Sequence, residues 1–356
     1  MAEPGTRRAG LVGTGLIGGS LGLALRARGW HVTGDDANRA AAERAQQLGA
    51  IDVVGLDATA ELTFVAAPVR AISAEVQRLL GSISGVVTDV GSVKATMVAA
   101  IADPRFVGGH PMAGSEQIGV EGADADLFEG AVWVLTPVEG TNPEAYALVR
   151  SVVSSLGAEV VALPPERHDA LVAVVSHVPH LTAAALMAIA GERAEEHAAL
   201  LRLAAGGFRD MTRIAAGSPA IWPDICQENR AAIVEGIERL RATLGDLRDA
   251  VAEGRRDDLL TRLTTAQATR LNLPQRVGRP AEVAEIRVPV PDRPGVLAEV
   301  TTLASELGVN IDDLEIAHSS EGEAGVLILL VDAATADRFR AGLVARGFRP
   351  AVQALG

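Results

Sequence analysis

The alternation of apolar and polar positions divides the chain into three stretches with different periods. In the first, short apolar runs of the kind that form buried strands occupy residues 9–12, 30–34, 64–69, 85–90, 131–136 and 159–162. Segments of helical period lie between them, including 16–28 closed by Gly29, 38–48, and a helix ending at Ile101. Strand and helix in turn predict a doubly wound parallel sheet over residues 1–165, with ligands at the carboxyl ends of its strands. From 166 to 271 the strand pattern disappears, and long Ala/Leu-rich segments with few breakers predict an all-α second domain. A linker bearing Pro, Gly and Arg spans 272–282. The third stretch, 283–356, reads strand 285–290, helix 296–307, strands 311–317 and 326–331, helix 335–346 and a short last strand, the βαββαβ order of an α+β ferredoxin-like fold.

One segment gives the first stretch its chemistry. Gly13-Thr14-Gly15-Leu16-Ile17-Gly18 follows the first strand and opens the first helix with G-x-G-x-x-G spacing. Gly13 permits the tight turn, Gly15 lets a pyrophosphate approach the backbone, Gly18 lets helix and strand pack closely, and the helix start offers free N–H groups. The second strand ends at Asp35-Asp36, about twenty residues further on, where a carboxylate accepts from a ribose 2′-hydroxyl. The stretch therefore reads as a Rossmann-type domain for NAD, contacted by these six residues, Asp36 and Pro68, which closes the strand over 64–69.

Composition narrows the partners. A formal net charge of −13 disfavours nucleic acid and anionic membranes, and a small anionic substrate needs a local arginine. The single cysteine, Cys226, excludes an intramolecular disulfide framework and a multi-cysteine zinc site, fits a reducing cytoplasm, and is expected to pack in the core. Residues 1–8 carry no separate apolar segment of a leader. The run 170–190 is the most membrane-like, but His177, Pro179 and His180 interrupt it, so a helix buried in protein is expected. His177 and His180 have no third metal ligand nearby and no His-Glu-x-x-His pattern, so no metal is expected.

Five blocks in order resemble the prephenate/arogenate dehydrogenase family of tyrosine biosynthesis: Gly13 to Ser20, Asp89-Val90-Gly91-Ser92-Val93-Lys94, Gly109-His110-Pro111-Met112-Ala113-Gly114-Ser115-Glu116, Ser176-His177-Val178-Pro179-His180, and Phe208-Arg209-Asp210-Met211-Thr212-Arg213-Ile214-Ala215. The segment with Asp292-Arg293-Pro294-Gly295-Val296-Leu297 and Gly308-Val309-Asn310-Ile311 resembles an ACT domain, which implies an amino-acid effector, tyrosine, held by Asp292, Pro294, Gly295, Val296, Leu297, Asn310 and Ile311. The resemblance implies NAD-dependent oxidative decarboxylation of prephenate in a homodimer built by the helical domain. His110 matches the catalytic histidine, placed here on a tight loop after a strand end by Gly108-Gly109 and Pro111. Ser92 matches the serine that orients it and touches the nicotinamide or substrate hydroxyl, and also fits a helix N-cap. Arg213 matches the arginine that grips a substrate carboxylate, with His180, Ser115 and Glu116 in the substrate pocket. Arogenate is the near alternative substrate. A β-hydroxyacid dehydrogenase would need a lysine in the helical domain, but Lys94 is the only lysine and lies in the sheet domain. A non-catalytic amino-acid sensor is the rival from another class.

Overall fold

The structure is a computed structural model that describes residues 6–115, 117–196, 203–273, 283–291, 293–318 and 324–354. The chain forms two compact units, 1–264 and 265–356, dividing within a helix.

In the first unit, strands β1 (Arg8–Val12), β2 (His31–Asp35), β3 (Val53–Val54), β4 (Leu62–Val65), β5 (Val86–Asp89), β6 (Phe106–Pro111), β7 (Val132–Thr136) and β8 (Glu159–Ala162) form one sheet ordered β3-β2-β1-β4-β5-β6-β7-β8. All neighbours run parallel except β6 and β7, which are antiparallel, so the sheet is mixed where a parallel one is expected. Strand side chains alternate between faces, and both faces are covered. Leu11 and Phe64 point into a core shared with α1 (Leu16–Ala27) and α5 (Pro143–Ser155). Val12 and Val65 point into the opposite core, with α3 (Val69–Leu80) and α4 (Ala95–Ala99). The short α2 (Arg39–Gln47) is capped by Asn38, whose side chain accepts from Ala40 N.

The sheet is followed by helices alone: α6 (Pro165–Val172), a π turn (Ala173–His177), α7 (Val178–Glu196), α8 (Gly206–Thr212), α9 (Trp222–Glu228), α10 (Arg230–Ala252) and α11 (Arg256–Leu271). Pro179 accounts for the π turn. It has no N–H for the carbonyl of Val175, and its ring crowds that carbonyl, so the preceding turn widens. Only 28% of the most apolar window of helix 165–193 is buried, against the expectation of a helix enclosed in protein. Its outward residues include Val174, Val175 and Ile189, each more than half exposed in the single chain. By length and composition that helix could cross a membrane, yet its polar residues His168, Asp169 and His177 are buried in the unit's own interior. Cys226 is half-buried rather than part of the core, and burial raises its thiol pKa.

The second unit contains β9 (Val283–Pro291), α12 (Val296–Glu306), β10 (Ile311–His318), β11 (Ala324–Asp332), α13 (Ala333–Ala345) and β12 (Ala351–Ala354). Its four strands are antiparallel in the order β10-β11-β9-β12. That is the ferredoxin-like arrangement the element order predicts. Alternate residues of β9, Ile286, Val288 and Val290, meet Val300, Leu303, Phe339 and Leu343 from the two helices in one apolar core.

Candidate active site

The turn between β1 and α1 is shaped for a phosphate. Gly13 has φ +90°, and a Cβ there would meet the Ala66 carbonyl oxygen at 2.3 Å. A Cβ on Gly18 would lie 1.9 Å from the Gly13 carbonyl oxygen, so helix and turn pack closer than any side chain allows. Around Gly15, by contrast, a Cβ would meet nothing within 4 Å, and no side chain caps α1. The open space and free N–H groups fit a pyrophosphate. Asp36 braces the turn: its Oδ2 accepts from Thr14 N at 2.8 Å and Thr14 Oγ1 at 3.2 Å, while its Oδ1 accepts from Asn38 N. Leu16 and Ile17 are half-buried at the helix start, and exposed Pro68 begins α3 at the end of β4. Arg39, which could attract a 2′-phosphate, pairs with Glu43 at 2.9 Å.

His110 lies within β6, not on a loop after it, and pairs with Val134 of β7. The glycines before it serve close packing rather than a turn. A Cβ on Gly109 would meet the Asp89 carbonyl oxygen at 2.7 Å, and one on Gly108 would meet Thr136 Oγ1 at 2.4 Å. The imidazole is 9% exposed, and its partner is not Ser92: His110 Nδ1 lies 2.8 Å from His168 Nε2. His168 Nδ1 lies 2.8 Å from Asp169 Oδ1, and both are buried in α6. Asp169 also takes the first N–H groups of α4, from Lys94 and Ala95, each at 2.8 Å. The N-cap residue of α4 is thus Lys94 and not Ser92, and the Nδ1 side of His110 is held by His168 and not by Ser92. Ser92 remains half-buried in the turn between β5 and α4.

A buried ion pair supports this cluster. Asp89 accepts from Lys94 Nζ, from Gly91 N at 2.8 Å and from Gly109 N at 3.0 Å, and neither charged side chain is exposed. Burial lowers the Lys94 pKa against the opposing pull of Asp89. His110 is held well below the usual imidazole range, first by burial and then by His168, Lys94 and His177. It is therefore a neutral base at neutral pH.

His177 and His180 both meet Trp222, His177 edge-on at 6.1 Å and His180 by stacking. His177 is buried, with Nδ1 3.2 Å from Asn229 Nδ2, and burial pushes its pKa down to about 4. Asn229 also donates to the Asp169 carbonyl oxygen at 2.8 Å. His180 is half-buried and stacks on Trp222 at 3.6 Å between ring centroids, which leaves its ring edge for polar contacts. Arg213 is exposed at the start of a 3-10 turn, Arg213–Ala216. Ser115 is exposed and accepts from Gln117 N, while Glu116 lies outside the described residues. In the second unit, Pro294 and Gly295 are exposed at the start of α12, which has no side-chain cap. Val296 is buried, Leu297 and Ile311 are half-buried, Asn310 is exposed, and Asp292 lies outside the described residues. The sequence does not single out His168, Asp169, Lys94 or Asn229 as site residues. The available signal was an adjacent His-Asp pair at the edge of a long apolar run and the chain's lone lysine.

An uncapped glycine-rich helix start in a Rossmann sheet, with a buried neutral imidazole on another strand of the same sheet, defines a nucleotide-dependent dehydrogenase. Comparison with known proteins specifies it. Residues 21–162 match the nucleotide-binding domain of prephenate dehydrogenase, 164–265 its dimerisation domain, and 284–341 the ACT domain. The prephenate dehydrogenase of Bacillus subtilis is 34% identical over 89% of this chain and 90% of its own length. The crystal structure of the A. aeolicus prephenate dehydrogenase, in complex with hydroxyphenyl propionate and NAD+, matches with a TM-score of 0.71 at 31% identity, covering 77% of this chain and 100% of that one. The Synechocystis arogenate dehydrogenase matches with a TM-score of 0.65 at 32% identity, covering 74% of this chain and 98% of that one. The chain belongs to the prephenate dehydrogenase family of NAD-dependent oxidoreductases and carries an ACT domain at its C-terminal end.

Proposed function

We propose that this chain catalyses the oxidative decarboxylation of prephenate to 4-hydroxyphenylpyruvate with NAD, in the cytoplasm, as a homodimer whose turnover tyrosine restrains. The observation that carries the chemistry is His110, a desolvated neutral base with its Nδ1 side already occupied by His168. The residues to hold NAD are Gly13, Thr14, Gly15, Leu16, Ile17 and Gly18 at the phosphates, Asp36 at the ribose, and Pro68. The bound cofactor supplies the hydride acceptor. His110 takes the ring hydroxyl proton as that oxygen becomes a carbonyl. When the ring carboxylate leaves as CO2, its electron pair enters the ring and the oxygen recovers the proton as a phenol. Ser92 contacts the substrate hydroxyl, Arg213 forks a carboxylate, and His180, Ser115 and Glu116 line the remainder of the pocket.

The homodimer reading is supported by the matched dimerisation domain and by exposed apolar residues of the π turn, α7 and α10, among them Val174, Val175, Ile189 and Val234. A groove of about 440 Å³ walled by Val174, Val178, Leu186, Met211 and Leu240 continues that face. Tyrosine sensing is supported by the matched ACT domain and by the exposed start of α12 at Gly295, which no side chain caps and whose dipole end suits an amino-acid carboxylate. Formation of NADH from NAD with prephenate, then with arogenate, tests the reading. Turnover of prephenate and not arogenate is expected; the reverse preference makes the chain an arogenate dehydrogenase, and turnover of neither makes it a sensor.

A further inference from the structure

We infer that His168 and Asp169 fix the proton order of the catalytic imidazole: Asp169 accepts the His168 Nδ1–H, His168 Nε2 accepts the His110 Nδ1–H, and the His110 lone pair is thereby confined to Nε2. The inference deepens the reading of His110 as base and rests on it. An isolated neutral imidazole prefers its proton on Nε2, which would leave the wrong nitrogen basic. Here each link is short and desolvated. The two ring contacts are 2.8 Å, and His168, Asp169 and His110 are 0%, 5% and 9% exposed.

The direction of the chain follows from Asp169. Its Oδ1 faces Lys94 N and His168 Nδ1, and its Oδ2 faces Ala95 N. Its neighbours there are donors, so the carboxylate acts as acceptor and His168 Nδ1 must carry a proton. His168 Nε2 then either accepts, in the neutral ring, or donates, in the imidazolium. The imidazolium would turn Nε2–H toward His110, push the His110 proton to Nε2 and abolish the base. It would also stand as a second unexposed cation in a cluster that already holds Lys94. The charged and titratable groups acting on His110 from the packed elements are His168 of α6, Lys94 before α4 and His177 of the π turn, with Asp169 behind His168 and Asp89, at the end of β5, behind Lys94 and the Gly109 N–H. With His168 neutral, the imidazolium that forms on His110 during turnover keeps its Nδ1–H on His168 Nε2 and is stabilised through that ring by the Asp169 carboxylate, with no proton passed along the chain. His168 and Asp169 are positioning residues, since neither is required to touch substrate or cofactor.

The test uses the full chain with ¹⁵N-labelled histidine, the His110 and His168 signals being assigned by loss in His110→Asn and His168→Asn. Expected are a protonated Nδ1 and a bare Nε2 on both rings at pH 7. A proton on His110 Nε2, or two protons on His168, overturns the proposal without an activity measurement. Kinetics give the second arm. His168→Gln keeps an acceptor toward His110 and should retain turnover at least tenfold above His168→Leu, which should fall by about 10²–10⁴-fold with KM for prephenate nearly unchanged. Equal losses in two folded variants would overturn it. Normal turnover of His110→Ala would instead sink the base reading and leave the ring protonation states to stand or fall on the spectra.

Discussion

The interiors of the two compact units are built from different materials. Among the described residues, every buried polar or charged side chain lies between Thr14 and Asn229, whereas the core of the second unit is apolar throughout. Burying charge costs several kcal/mol per ion unless partners are placed to meet it. A polar interior is therefore retained where atoms must stand at fixed positions, as in the set formed by Asp89, Lys94, His110, His168, Asp169, His177 and Asn229. An apolar core needs only shape and volume. The second unit can thus hold a ligand on its surface loops without any group of its interior taking part, while the first has its chemistry in the core.

Removing His110 should break this contrast most visibly. His110→Ala is expected to lower kcat by roughly two to four orders of magnitude, the range for a lost general base, with KM little changed. Steady-state NADH formation measures it, and circular dichroism checks the fold. Turnover close to normal would mean that the polar interior is scaffolding.

The next effect is on stability. Lys94→Met strands Asp89, which is unexposed and holds the N–H groups of Gly91 and Gly109, and should cost about 3–5 kcal/mol in denaturant unfolding. Leu343→Ala in the second unit should cost a comparable 2–5 kcal/mol, roughly, through its cavity. Only the first should also reduce turnover, because only that interior positions His110. If the double variant Asp89→Asn with Lys94→Met is no more stable than Lys94→Met, the stranded charge is not the cause of the loss.

Acid should separate the units as well. His110 and His177 are both held below the usual imidazole value, His177 at about 4 against 6.5. An unfolded chain takes up these protons near pH 6.5 and the folded chain does not, so stability is full above that value and falls as pH drops from about 6.5 toward 4. Melting temperatures measured across this window should fall, and His177→Asn should flatten part of the slope. A slope identical to that of the parent would place the protons elsewhere.

How much of this is legible in the sequence depends on the kind of contact. Strands, glycine turn and βαββαβ order follow from period and spacing, which are local. The G-x-G-x-x-G turn is legible because backbone close approach demands glycine at fixed intervals. Gly108-Gly109 misled for the same reason: glycines that admit Thr136 and Asp89 from neighbouring strands look like turn glycines, so His110 was expected on a loop. The hydrogen-bonded run from His110 through His168 to Asp169 was not legible at all. Asp169 reaches 75 residues back to Lys94, and His168 reaches 58 back to His110, distances along the chain that no period records.

A smaller effect is expected at the substrate's charged end. Arg213→Ala should raise KM for prephenate by the loss of a charge-assisted fork, about 2 kcal/mol or roughly 30-fold, with NAD affinity unchanged. An equal loss of NAD binding, by titration, would assign Arg213 to holding the helices against the sheet.

The smallest effect on basal turnover, and the sharpest test of the contrast, comes from the second unit. Gly295, at φ +91°, is exposed at the start of α12, which has no side-chain cap, and Asn310 stands exposed before β10. If tyrosine binds there, coupling requires that it favour one arrangement of the whole protein over another, typically by about 1–3 kcal/mol. Ending the chain before β9 should then leave kcat without tyrosine within about twofold, because no residue of the proposed site lies beyond Asn229. Inhibition by tyrosine should vanish in the same protein. Should the shortened enzyme still be inhibited, competitively with prephenate, tyrosine is acting as a product analogue at His110 and Arg213, and the apolar unit is a structural appendage rather than a sensor.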